Sequence, residues 1–203
     1  MRIALYATIW VALALLVVSE VVKRFEVRLS ASARPGCSCE LRRSRRSLGE
    51  GGKPDATYRP NGVAWWAFAT GAALTAIHVL IALAIQYNWD HESAVSATAA
   101  QAAEVYGFGW RGNIYVSYVF VAVWWVEAIR WKLNPELFRH RRPAMTWAMR
   151  LFFLLIVVNG AVIFATYPMR LLGVLIVAAL IWAWTPRHVR SPQHSQSPQK
   201  IPF

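Results

Sequence analysis

Apolar residues in this chain fall into long tracts separated by polar, strongly basic stretches. A bilayer core about 30 Å thick is crossed by roughly 20 apolar residues in a helix, and that length picks out the elements. The first tract runs from Ile3 to about Val22 and is closed by Lys23 and Arg24. Its short n-region and the lack of a small-x-small site directly after it favour a retained anchor over a signal peptide. The second tract spans about 63–86 and opens with Trp65 and Trp66. The third spans about 113–129 and carries Tyr115, Tyr118, Trp124 and Trp125. A longer tract, from about Met149 to Trp184, is interrupted at Asn159, Pro168 and Arg170. At 1.5 Å per residue it would exceed ~50 Å, too long for one crossing at ordinary tilt. It therefore reads as two spans, 149–166 and 170–185, joined by a hairpin at Tyr167-Pro168-Met169-Arg170. The expected fold class is an all-α, multi-pass transmembrane helix bundle of about five spans.

The basic residues orient these spans. Ten Lys or Arg residues lie between the first and second spans, from Lys23 to Arg59, whereas Arg111 stands alone between the second and third. Arg130, Lys132, Arg139, Arg141, Arg142 and Arg150 follow the third, and Arg187, Arg190 and Lys200 follow the last. Basic loops are retained on the cytoplasmic side, so the expected orientation is N-out/C-in. The same pattern accounts for the net charge of +12 without nucleic acid as a partner. Charged residues make up 16% of the chain, against about 25% in soluble domains. Eleven tryptophans suit a protein that touches the headgroup boundary. The lipid bilayer is the expected partner, and the bacterial plasma (inner) membrane the expected location.

Residues 30–60 are rich in Arg, Gly, Ser and Pro without apolar periodicity and are expected to be a disordered cytoplasmic insert. Within them, residues 42–54 resemble a translated dispersed repeat of high-GC bacteria. Cys37 and Cys39 make half a zinc site at best and are read as incidental. Residues 91–106 are alanine-rich, with Asp90 placed to cap the start and Gly107 to end the helix. Val95, Ala99, Ala102 and Tyr106 form one apolar stripe, so a short external surface helix is expected. The tail, 186–203, is rich in Pro, Ser and Gln and is expected to be unstructured.

Polar groups inside a bilayer are functional candidates by default. His78 lies on a stripe of Gly71, Thr75, His78, Ala82 and Gln86 that should meet other helices. Asn159, at similar depth on another span, is its expected hydrogen-bond partner. Asn113, Ser117, Phe120, Trp124 and Glu127 share a face of the third span. Glu127 stands three residues before Arg130, and Glu20 precedes Lys23 and Arg24, which suggests interfacial ion pairs. Asn159-Gly160 reads as a packing site. Haem held by two histidines of one protomer is disfavoured, because only His78 is intramembrane. Asp90, His91 and Glu92 are consecutive and would diverge on a helix. No metalloprotease, P-loop, Rossmann or nucleophile-elbow motif occurs. No catalytic, cofactor-binding or metal-binding residue is therefore assigned, and no cofactor is expected.

His78, Trp89-Asp90-His91-Glu92, Thr98-Ala99, Gly107, Trp110-Arg111-Gly112, Tyr115, Trp124 and Glu127 together resemble a family of small uncharacterised bacterial multi-pass membrane proteins over about residues 63–131. That resemblance implies membership without an activity. The expected function is a non-catalytic accessory or structural membrane component, acting with another membrane subunit. The alternative is a small transporter or membrane enzyme that uses His78 and Asn159.

Overall fold

The computed structural model describes residues 2–32 and 62–185. Most of the basic insert, Cys37, Cys39 and the 186–203 tail lie outside the described residues. The described chain is all helical: α1 (Arg2–Ser32), α2 (Gly62–Gln86), α3 (His91–Tyr106), α4 (Asn113–Leu133), α5 (Pro135–Arg139), α6 (Pro143–Val158), a π turn (Asn159–Ile163) and α7 (Met169–Trp184). Among the described residues three stretches are long and apolar enough to cross a membrane: Gly62–Gln86, Asn113–Leu133 and Pro143–Ile163. The apolar helix Met169–Trp184 is shorter, at 16 residues.

The helices outrun the apolar tracts that mark them. α1 continues past Val22 to Ser32 and so takes in residues 30–32, which the composition had assigned to the disordered insert. α4 continues past Ile129 to Leu133, and α6 begins at Pro143, ahead of Met149. Hydrophobicity decides which segment lipid can cover, but helix propensity decides where the helix stops. Lys and Arg are good helix formers, and proline is favoured in a first turn whose N–H groups lack partners anyway.

α1 packs along α2, α2 along α4, and α7 returns against α1. The core is an aromatic layer in which Trp124 is fully buried. Its ring lies 5.7 Å from that of Phe68, 5.3 Å from Phe120 and 5.4 Å from Phe153, at tilted or edge-on angles. The ring quadrupoles favour such arrangements. The layer fits because α2 carries Gly71: a Cβ there would lie 2.9 Å from the Trp124 ring and 3.1 Å from the Ala12 carbonyl.

Buried polar atoms are used to tie helices together. Trp124 Nε1 donates to the Phe68 carbonyl at 3.1 Å, Trp65 Nε1 to the Ala128 carbonyl at 3.0 Å, and Ser19 Oγ to the Ala64 carbonyl at 2.9 Å. Each donates a second hydrogen bond to a carbonyl oxygen inside a helix.

α6 runs into the π turn, and the chain reverses before α7, through a cis Tyr167–Pro168 bond. Helix ends leave carbonyls without partners. Arg170 supplies two, with Nε donating to Ala165 O at 3.2 Å and Nη2 to Ile163 O at 3.4 Å. The two arms of the hairpin touch at Gly173, where a Cβ would sit 1.9 Å from the Ala161 carbonyl oxygen. Gly160 is not the packing site expected from the sequence. A Cβ there would meet nothing within 4 Å, because the π turn swings this residue away from neighbouring helices.

Candidate functional site

On one side of the aromatic layer the bundle opens into a cavity of about 340 Å³. Leu13 of α1, Thr75 and His78 of α2, Phe120 of α4 and Val157 of α6 line its inner part. The π turn contributes Gly160 and Ala161, while Gln101 of α3, Ser117 of α4 and Thr166 stand at its rim. Leu13, Thr75, Phe120 and Val157 are buried, whereas Gln101, Ser117, Gly160 and Thr166 are exposed. The cavity thus has a closed apolar floor and an open, more polar mouth. Its mouth lies at the end of the bundle that carries α3.

His78 reaches this cavity, but its hydrogen bond is not to Asn159. Nδ1 of His78 lies 3.2 Å from Thr8 Oγ1 on α1, and Asn159 Oδ1 accepts a hydrogen bond from the Tyr106 hydroxyl. The expected His78–Asn159 pair does not form, for two geometric reasons. α1 packs closely along α2 and covers His78, and Asn159 opens the π turn at the rim, where it meets α3. Of the small-polar stripe on α2, Gly71 and Thr75 are buried and His78 half-buried, but Gln86 is exposed.

α3 roofs this end of the bundle. Asp90 caps it, accepting from the Glu92 N–H at 3.0 Å and from the Ser93 hydroxyl. The Ser93 hydroxyl, and then the backbone N–H groups, hold the Asp90 carboxyl below the usual carboxylate range. Gly107 ends the helix at φ 78°, a left-handed conformation in which its N–H reaches Ala103 O at 2.9 Å. Ala94 and Val95 pack on Ile114, with Leu83, Tyr87 and Tyr118 around them. His91 is held by Tyr115 and Tyr118, whose hydroxyls each lie 3.3 Å from one ring nitrogen. Glu92 pairs with Arg111 across the surface. At its far end α3 is fastened by Tyr106, which bonds Asn159 and meets the Phe164 ring edge-on at 5.9 Å.

The carboxylates expected in interfacial pairs lie at the opposite end of the bundle, and two pairings differ from expectation. Glu20 pairs with Lys23 as expected, and its other oxygen accepts from Trp184 Nε1 at 2.9 Å. Lys23 also lies 4.8 Å from the Trp131 ring centre and 5.1 Å from that of Phe68. Arg24 instead stacks over Trp182 at 4.4 Å, while Lys23 and Trp184 engage the two Glu20 oxygens. Glu127 is buried and pairs with Arg141, not with Arg130, which is exposed. The turn through α5 brings Arg141 back over the end of α4, where Arg141 Nε also donates to Thr146 Oγ1 at 2.9 Å.

Sequence reasoning overlooked Thr8, Tyr106 and Arg141, all single polar residues whose partners are set by how helices are positioned along one another. Among the described residues no three His, Cys, Asp or Glu side chains come together as a metal site. Neither a protein-family model, nor a curated protein, nor a solved structure matches this chain.

Proposed function

We propose that this chain is a multi-pass protein of the bacterial inner membrane that serves as a non-catalytic accessory component beside another membrane subunit. The observation that carries this reading is the use of its interior polar groups: Trp65, Trp124 and Ser19 bond backbone carbonyls of neighbouring helices, and Glu20 and Glu127 are each tied to a cation. Such contacts fix a scaffold. They do not form a chain of exchangeable proton carriers. Five spans with the N-terminus outside agree with the basic loop asymmetry and with the fold-back of α7 on α6. The resemblance over residues 63–131 implies membership in a family of small bacterial membrane proteins and no activity.

The test is purification of the tagged chain from its native membrane in mild detergent. A second membrane subunit at fixed stoichiometry is the expected result. Proton or solute flux through the chain alone in liposomes, abolished by His78→Gln with thermal stability retained, would overturn this reading in favour of transport.

A further inference from the structure

We propose that the cavity beneath α3 binds one uncharged, lipid-soluble molecule bearing a single hydroxyl head. Its volume of about 340 Å³ falls in the range of small-molecule sites, roughly 300–1,000 Å³. Among the described residues no Asp, Glu, Lys or Arg lines it. His78 does line it, but its Nδ1 already meets Thr8 Oγ1, so a charged ligand would lose its hydration without gaining a fixed counter-ion. The polar lining is confined to a few side chains, and the rest is aliphatic or aromatic. Thr75 Oγ1 donates to the Gly71 carbonyl at 2.9 Å, which leaves its oxygen able to accept from a ligand O–H. The apolar body would lie against Leu13, Phe120 and Val157. The π turn keeps the mouth open, because Gly160 presents no side chain to it and has open space where a Cβ would be. π turns recur at functional sites for this reason: they displace one turn of helix from its neighbours.

The test uses the full chain in nanodiscs with Cys37 and Cys39 changed to Ser, and 1-decanol as the probe. Ser117→Cys reports the mouth, and Leu155→Cys, on the outward face of α6, reports the surrounding lipid. Each cysteine is modified by methyl methanethiosulfonate with and without the probe. At about ten times its dissociation constant, decanol should slow modification of Ser117→Cys about tenfold, since only the unoccupied fraction reacts. Leu155→Cys should be unaffected, and decanoate should protect Ser117→Cys far less. Filling the cavity by Gly160→Phe, or separately by Val121→Trp, should abolish the decanol effect. Equal slowing at both cysteines, no slowing at Ser117→Cys, or protection undiminished in both filled variants would overturn the site. Equal protection by decanoate would overturn the ligand class.

Discussion

Glu127 shows how a single side chain takes its role from its neighbours in space. It is 4% exposed, and removing Arg141, its counter-ion among the described residues, would leave a buried carboxylate without compensation. Breaking such a pair costs about 3–5 kcal/mol. Arg141→Ala should therefore lower the stability of the chain by that order, read as a drop in thermal unfolding temperature in detergent. Arg130→Ala, at an exposed site, should change stability by no more than about 0.5 kcal/mol. Equal effects of the two substitutions would restore the i,i+3 pairing that the sequence suggested. Asp90 gives a second residue-scale prediction, this time of pH dependence. Its pKa is depressed in the folded chain, so its stabilisation of α3 is fully present above the ordinary Asp value. That stabilisation is lost as pH falls through the lower, folded-state value. Hydrogen exchange across α3 should accelerate over that acid range. Asp90→Asn should remove the pH dependence while keeping a cap, because asparagine caps as well as aspartate.

At the scale of elements, the apolar hairpin and the roof helix depend on different kinds of contact. Gly173→Ala would drive a Cβ into the Ala161 carbonyl and force α6 and α7 apart, for a cost of about 1–3 kcal/mol. Gly160→Ala should be tolerated, and comparing the two melting temperatures checks the packing of the hairpin. For α3, the Tyr106–Asn159 bond is exposed, so Tyr106→Phe and Asn159→Ala should each cost about 0.5–1.5 kcal/mol. The double variant should cost less than their sum, with the loss seen as faster exchange in α3 and little change in α2. The beginnings and ends of α3 were legible in the sequence because capping is local: Asp90 and Gly107 act on backbone groups a few residues away. The apolar tracts were legible because a membrane-crossing helix needs only length and hydrophobicity. Partners were not. Whether His78 meets Thr8 or Asn159 depends on how α1 and α6 are set along α2, and a run of apolar residues fits several such settings equally well. The π turn was also hidden, since Asn159-Gly160-Ala161-Val162-Ile163 carries no signal that separates it from an ordinary helix.

At the scale of the whole molecule, the two ends of the bundle differ in chemistry, and that difference bears on how it sits in a membrane. One end holds α3, the cavity mouth, the start of α1 and the α6–α7 turn, with Arg2, Arg111 and Arg170 as its Lys/Arg residues among those described. The other end gathers Lys23, Arg24, Arg130, Lys132, Arg141, Arg142 and Arg150. Several of these lie over aromatic rings, including Lys132 over Trp65 at 4.4 Å and Arg150 over Trp147 at 5.5 Å. Long basic side chains with tryptophan beside them are anchors of the interface, where stem and ring stay apolar and the charge stays wet. The basic end should therefore face the cytoplasm, with α3 outside. A reporter active only in the cytoplasm should work when fused after Pro186, and one active only outside should work when inserted near Gly107. The fold-back of α7 on α6 makes the Pro186 fusion decisive. α7 has only 16 residues, about 24 Å at 1.5 Å per residue, so it can cross only with help from its neighbours or a locally thinned bilayer. If the Pro186 fusion is active outside instead, the 149–184 tract crosses once, the five-span count fails, and the α6–α7 hairpin has to open in the membrane.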